Sequence, residues 1–257
     1  MFNNIFGNMP PVTKNLLLLN VTMYIVTMVL ASSGTDLGYW LSAHYVTSEL
    51  FEPYQIITHM FMHSQSGIFH ILFNMLILVM IGAHLERIWG AKKYFIVYFA
   101  SGLGAFALYN SIGAWQLMQL KSEIIANQSF LDIGRSSFEM FQEEIIQGSK
   151  QSLYFNGLPT AMQRYADLEV SSMVGASGAL FGLLAGFAIL FPNTPMQIMF
   201  IPVPIKAKYL IGAYFLYEVY NSIRPSNDGV AHLAHVGGAI VGIIIVLIWR
   251  KKGKNFI

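Results

Sequence analysis

Gly175-Ala176-Ser177-Gly178-Ala179-Leu180-Phe181-Gly182 opens a long apolar run in which Gly178, Gly182 and Gly186 follow one another at four-residue steps. Residues four apart share a helix face, so this spacing predicts a helix with one nearly bare side and a hydroxyl at its top. In lipid, a bare side lets a neighbouring helix approach until backbones touch. The question set by this stretch is what approaches, and whether it brings a base.

The rest of the chain supplies the lipid setting. Of 257 residues, 55% are hydrophobic and 11% charged, far from an ordinary soluble domain. Asp, Glu, Lys and Arg are absent from 15–35, 53–85, 94–120, 170–205 and 230–249. A hydrocarbon core of about 30 Å needs roughly 20 apolar residues per helix, which these windows supply repeatedly. The expected class is an all-α polytopic membrane protein. With no cysteine, thiolate catalysis and disulfides are excluded.

Six spans are predicted, at about Asn15–Ser33, Gly67–Ala83, Tyr94–Ile112, Ser172–Leu190, Lys208–Ser222 and Val230–Trp249. Residues 113–170 interrupt the pattern as a long extracytoplasmic insert between helices 3 and 4. Phe138, Phe141, Ile145 and Ile146 predict an amphipathic helix within it, with Gly148 and Gly157-Leu158-Pro159 as breaks. The loop 36–52 is rich in interfacial aromatics: Tyr39, Trp40, Tyr45 and Phe51. Six spans put both termini on one side. Cytoplasmic termini place Lys14, Arg87, Lys92, Lys93, Lys206, Lys208, Arg250, Lys251, Lys252 and Lys254 inside, ten of the fifteen basic residues.

That orientation makes spans two, four and six run inward from the outer side. His70, Asn74, Ser177 and His235 then fall in one layer, each roughly 7–10 Å below the outer surface at ~1.5 Å per residue. Polar groups inside spans are costly and face a protein interior or a watery cavity. Each alone has a packing explanation, but packing does not require all four at one depth. Stacking the Gly178/Gly182/Gly186 stripe against His235, Gly238 and Gly242 would bring Ser177 to His235, whose imidazole can act as general base. His232 shares a face with His235, but depth favours His235. Glu86 and Arg87 are expected to pair and cap their loop, and Glu218 lies near enough to the outer end of span five for hydration and is assigned no role. His59 and His63 are spaced for a metal, yet no third ligand accompanies them, and no metal is expected.

Together, Gly175-Ala176-Ser177-Gly178, His70-Ile71-Leu72-Phe73-Asn74, and Ala234-His235-Val236-Gly237-Gly238 with Gly242 resemble the signature set of the rhomboid intramembrane serine proteases. Gly82, Glu86 and Gly90 resemble the glycine-glutamate-glycine pattern of that family. The resemblance implies a six-transmembrane-helix rhomboid-like bundle, a single membrane domain over 1–257 with 113–170 as an extramembrane insert. It implies an intramembrane serine endopeptidase that cleaves single-span membrane proteins. Ser177 would be the nucleophile and His235 the general base, a dyad without a third acidic member. His70, Asn74 and the Ser177 amide would form the oxyanion hole, and Phe181 would pack against His235. Gly175, Gly178, Gly238 and Gly242 would support them. The expected partners are a transmembrane protein substrate and membrane lipid, with no cofactor and no nucleic acid. The expected location is a prokaryotic plasma membrane, multi-pass, with both termini cytoplasmic. Where the family often has Trp-Arg, this chain has Tyr54-Gln55, which puts the anchoring of its first loop in question.

A rhomboid-like protein that binds membrane clients without cleaving them is the alternative; retention of Ser177, His235, His70 and Asn74 together argues against it. A transporter would spread polar groups through the depth or show an internal repeat. No His-Glu-x-x-His occurs, and Asp36, Asp132, Asp167 and Asp228 fall in loops, against zinc and aspartyl chemistries.

Overall fold

A computed structural model describes residues 7–65, 67–150, 158–197, 203–224 and 230–252; Gly157, Asp228 and Lys254 lie outside them. In chain order the helices are α1 (Pro11–Ser32), α2 (Leu37–Leu41), α3 (Gln55–Thr58), α4 (Ile68–Ile77), α5 (Ala83–Ala126), α6 (Phe138–Lys150), α7 (Thr160–Val170), α8 (Ser177–Leu190), α9 (Ala207–Ser222) and α10 (His232–Lys251). A π-helical turn, Leu78–Gly82, joins α4 to α5. A two-residue antiparallel pair, β1 (Pro195–Met196) with β2 (Ile205–Lys206), lies between α8 and α9 and was not expected from the sequence. The fold is all-α in its substance, and its long apolar helices fit a membrane protein: Pro11–Ser32, the helical stretch Ile68–Ala126 with its kink at Gly90, and His232–Lys251 are long and apolar enough to span a bilayer.

The chain forms two compact units. The first comprises residues 1–35, 60–109 and 174–257. Its core joins Leu78, Leu85, Tyr94, Tyr98, Leu180, Leu183 and Val246, all buried. Within α5 the helical path breaks at Gly90, with φ 78° and ψ 159°, where the sequence reading placed the turn between spans two and three. Glu86 does not pair with Arg87. Its carboxylate accepts from the Val12 amide (2.9 Å), the Thr13 amide (2.7 Å) and the Thr13 hydroxyl (2.7 Å). The α1 N-cap, Pro10, offers no side-chain acceptor, so Glu86 satisfies amides that the first helical turn leaves open and places negative charge at its positive end. Arg87 donates to the Asn8 carbonyl at 3.1 Å.

The second unit comprises residues 36–59 and 110–173. The third predicted span does not stop at Ile112; its helix runs to Ala126. Leu117, Leu120 and Ile124 keep a buried face past the charge at Lys121, and they pack on Phe138, Phe141, Ile145, Met162 and Tyr165. A helix can therefore outlast its apolar stretch by becoming amphipathic. The predicted helix around Phe138 is present, but Gly148 lies inside it and breaks nothing. The first loop is anchored by Gln55. Its Oε1 accepts from the His44 amide at 3.2 Å, and its Nε2 donates to the Trp40 and Leu50 carbonyls, each at 3.1 Å.

Candidate active site

The site lies within the first unit, at the N-terminal ends of α4, α8 and α10. Ser177 is the first residue of α8 rather than one buried in its second turn. The helix cannot begin earlier because Gly175 has φ +118°, a conformation L side chains rarely adopt. Ser177, His70 and His235 therefore lie in the first turns of their helices, where backbone amides lack intrahelical acceptors and favour negative charge, with Asn74 one turn further along α4.

The expected stacking of bare faces is present. A Cβ on Gly238 would overlap the Gly178 carbonyl, and one on Gly242 would overlap Gly182 backbone atoms. At that approach Ser177 Oγ and His235 Nε2 stand 2.8 Å apart. Phe181 stacks on the imidazole with ring centres 4.3 Å apart and planes 12° from parallel. A third helix, the predicted third span, completes the packing in a place the sequence did not assign it: Ala105 and Ser101 of α5 meet the faces of Gly178 and Gly182.

His70 lies in the first turn of α4. Its Nδ1 accepts from the Ser64 amide at 3.3 Å, so the ring proton sits on Nε2. A Cβ on Gly175 would lie 3.1 Å from that Nε2 and 3.5 Å from Ser177 Oγ, so both side chains face the space that glycine keeps open. Asn74 is buried and its Nδ2 donates to the His70 carbonyl at 2.8 Å, which leaves its second amide proton for another acceptor.

Glu218 is the residue the sequence reading missed. It is buried in α9, 1% exposed, not hydrated at the outer end of its span. Its Oε2 lies 2.8 Å from His235 Nδ1 and 2.6 Å from His232 Nδ1. His232 and His235, three apart on α10, with an acid near the outer end of the preceding span, were the available signal.

Glu218, His232 and His235 also form the group of potential metal ligands among the described residues. Two tetrahedral zinc ligands at about 2.0–2.1 Å stand about 3.3 Å apart. The 2.6 and 2.8 Å separations instead suit hydrogen bonds. His59 Nδ1 bonds the Gln55 carbonyl at 2.7 Å, and the His63 ring lies 5.3 Å from that of His70. Burial pushes both His59 and His63 down to about 4, so each is neutral near pH 7.

The rhomboid domain model matches residues 50–119 and 146–252, well over half of the chain. The chain belongs to the rhomboid family. It is similar to rhomboid protease AarA of Providencia stuartii, 26% identical over 246 residues, covering 91% of this chain and 70% of the relative. It is also similar to mitochondrial rhomboid protein 1 of Saccharomyces cerevisiae, 32% identical over 114 residues, covering 44% of this chain and 31% of the relative. As a rhomboid, the chain is an integral, multi-pass membrane protein.

Proposed function

We propose that this rhomboid is an intramembrane serine endopeptidase that cleaves single-span membrane proteins within or near the bilayer. The observation that carries the reading is the 2.8 Å contact between Ser177 Oγ and His235 Nε2. In this mechanism Ser177 Oγ attacks the scissile carbonyl carbon as its proton passes to His235 Nε2. The tetrahedral oxyanion is held by His70 Nε2–H, the free amide proton of Asn74 and the Ser177 backbone amide. His235 returns the proton to the leaving amine, which departs. Water then hydrolyses the acyl-enzyme by the same route in reverse and regenerates Ser177.

The architecture we assign is six spans with both termini cytoplasmic and 113–170 as an extramembrane insert, in a prokaryotic plasma membrane. The distribution of basic residues supports the orientation. Capping of α1 by Glu86 supports an antiparallel run of the first two spans, because it links the start of the first to the end of the second. The partners would be a transmembrane substrate and the surrounding lipid.

Labelling with a fluorophosphonate or chloroisocoumarin probe tests the nucleophile. Wild type is expected to label and Ser177→Ala to lose at least about 99% of the signal. Equal labelling of both would contradict the assignment.

A further inference from the structure

Glu218 takes no part in the chemistry set out above, yet it touches the general base. An ionised carboxylate inside a span is expensive unless it is paired, and such residues mark functional sites more often than packing sites. Here the carboxylate has two imidazole partners on one oxygen, His232 and His235, both from the first turn of α10.

The partner chemistry fixes the protons. An ionised carboxylate only accepts, so each Nδ1 must donate to it. With its Nδ1 protonated, neutral His235 carries its lone pair on Nε2, the nitrogen facing Ser177 Oγ. This is the tautomer a general base needs. His235 is then held on three sides: by Ser177 at Nε2, by Glu218 at Nδ1, and by the Phe181 ring across its face. His232 does for Glu218 what Glu218 does for His235, pinning the shared oxygen from the other direction.

We propose that Glu218 is a positioning residue that makes the serine chemistry of this chain a Ser177–His235–Glu218 triad, with His232 as the second donor that holds the carboxylate in place. This rests on the serine-protease reading. When Ser177 gives its proton to His235, the imidazolium carries both ring protons. Its charge faces Glu218, which stays ionised and takes up no proton. Among the described residues, the other titratable groups facing this trio are Tyr214 and Tyr217 on the helix of Glu218, and His70 from α4, within electrostatic reach of His235.

The test measures kcat and KM separately for a single-span substrate in proteoliposomes, with folded fraction and thermal unfolding recorded for each variant. Glu218→Gln keeps the shape and removes the charge. It is expected to lower kcat about 100-fold or more while KM stays within about two-fold. Glu218→Asp, which keeps the charge, should recover at least about ten-fold of that loss, and His232→Gln should cost about three- to ten-fold in kcat. Glu218→Met guards against misfolding, because an apolar residue of similar length often replaces a buried ion without loss of stability. It should fold and be as slow as Glu218→Gln. A kcat within about two-fold of wild type in either folded neutral variant overturns the proposal. So does a loss that follows folded fraction or KM alone. Loss of wild-type activity on adding a chelator would assign the cluster to a metal ion and overturn it as well. Activity of Ser177→Ala equal to wild type would sink the protease reading itself, a different outcome from a normal kcat in Glu218→Gln with Ser177→Ala dead.

Discussion

The unit that holds Ser177 is built by removing side chains, whereas in residues 36–59 and 110–173 polar side chains tie irregular backbone beside an apolar core of Leu117, Phe141 and Tyr165. Where α8 meets α10, Gly178 and Gly182 face Gly238 and Gly242, and backbone lies against backbone. In the other unit, Gln55 ties three backbone groups. Glu169 accepts from the Glu49 amide through Oε1 and from Ser48 Oγ through its carbonyl, at 2.9 and 3.0 Å. Asn110 accepts from the Val46 amide at 2.7 Å. The contrast follows from the solvent. Lipid gives apolar helices no hydrophobic reason to associate, so close shape must do it. A loop segment must instead satisfy irregular backbone groups one by one.

The comparison breaks first at Gly238. Gly238→Leu puts its Cβ into the Gly178 backbone, which no rotamer avoids. The expected result is the loss of monodisperse, probe-reactive protein, beyond the about 1–3 kcal/mol typical of overpacking. Recovery of folded, normally labelled protein would show that the helices can part without consequence. Phe141→Ala empties the centre of the second unit and should cost that unit about 3–5 kcal/mol. Limited proteolysis should then cut within 113–170, while Ser177 labelling per molecule stays within about two-fold of wild type. Labelling that falls in step with the cutting would deny the independence of the two regions. The smallest expected effect is at the first loop. Gln55→Ala leaves three backbone groups short of a partner and should cost about 1–3 kcal/mol. Hydrogen exchange should rise in 36–59, and unchanged exchange there would remove Gln55 as the anchor.

The same contrast explains what the sequence could tell. Glycine stripes at four-residue steps are readable because an absent side chain means the same thing in any rotamer, and the His235–Ser177 pairing followed from them. Helix starts were less readable. The start of the helix at Ser177, rather than near Ser172, was not readable, because the positive φ of Gly175 is a property of the fold, not of the glycine. Glu218 was missed for a related reason. The helix Ala207–Ser222 is apolar nearly all round, so its composition does not say which way it is rotated. Only rotation decides between water and the pair His232 and His235. In the second unit, Tyr54-Gln55 departs from the family pair, and nothing in a glutamine announces that it will reach His44, Trp40 and Leu50. The extension of α5 to Ala126 was legible in principle, since Leu117, Leu120 and Ile124 keep helical spacing beyond the point where charges begin.

The central claim is that the hydroxyl at the head of the glycine-faced helix cuts peptide bonds. Its most direct measurement compares wild type with Ser177→Ala, reconstituted in liposomes with a model single-span substrate. Wild type should yield two fragments from a cut in or near the membrane, and Ser177→Ala less than about 1% of that rate. Equal cleavage by the two proteins would contradict the account.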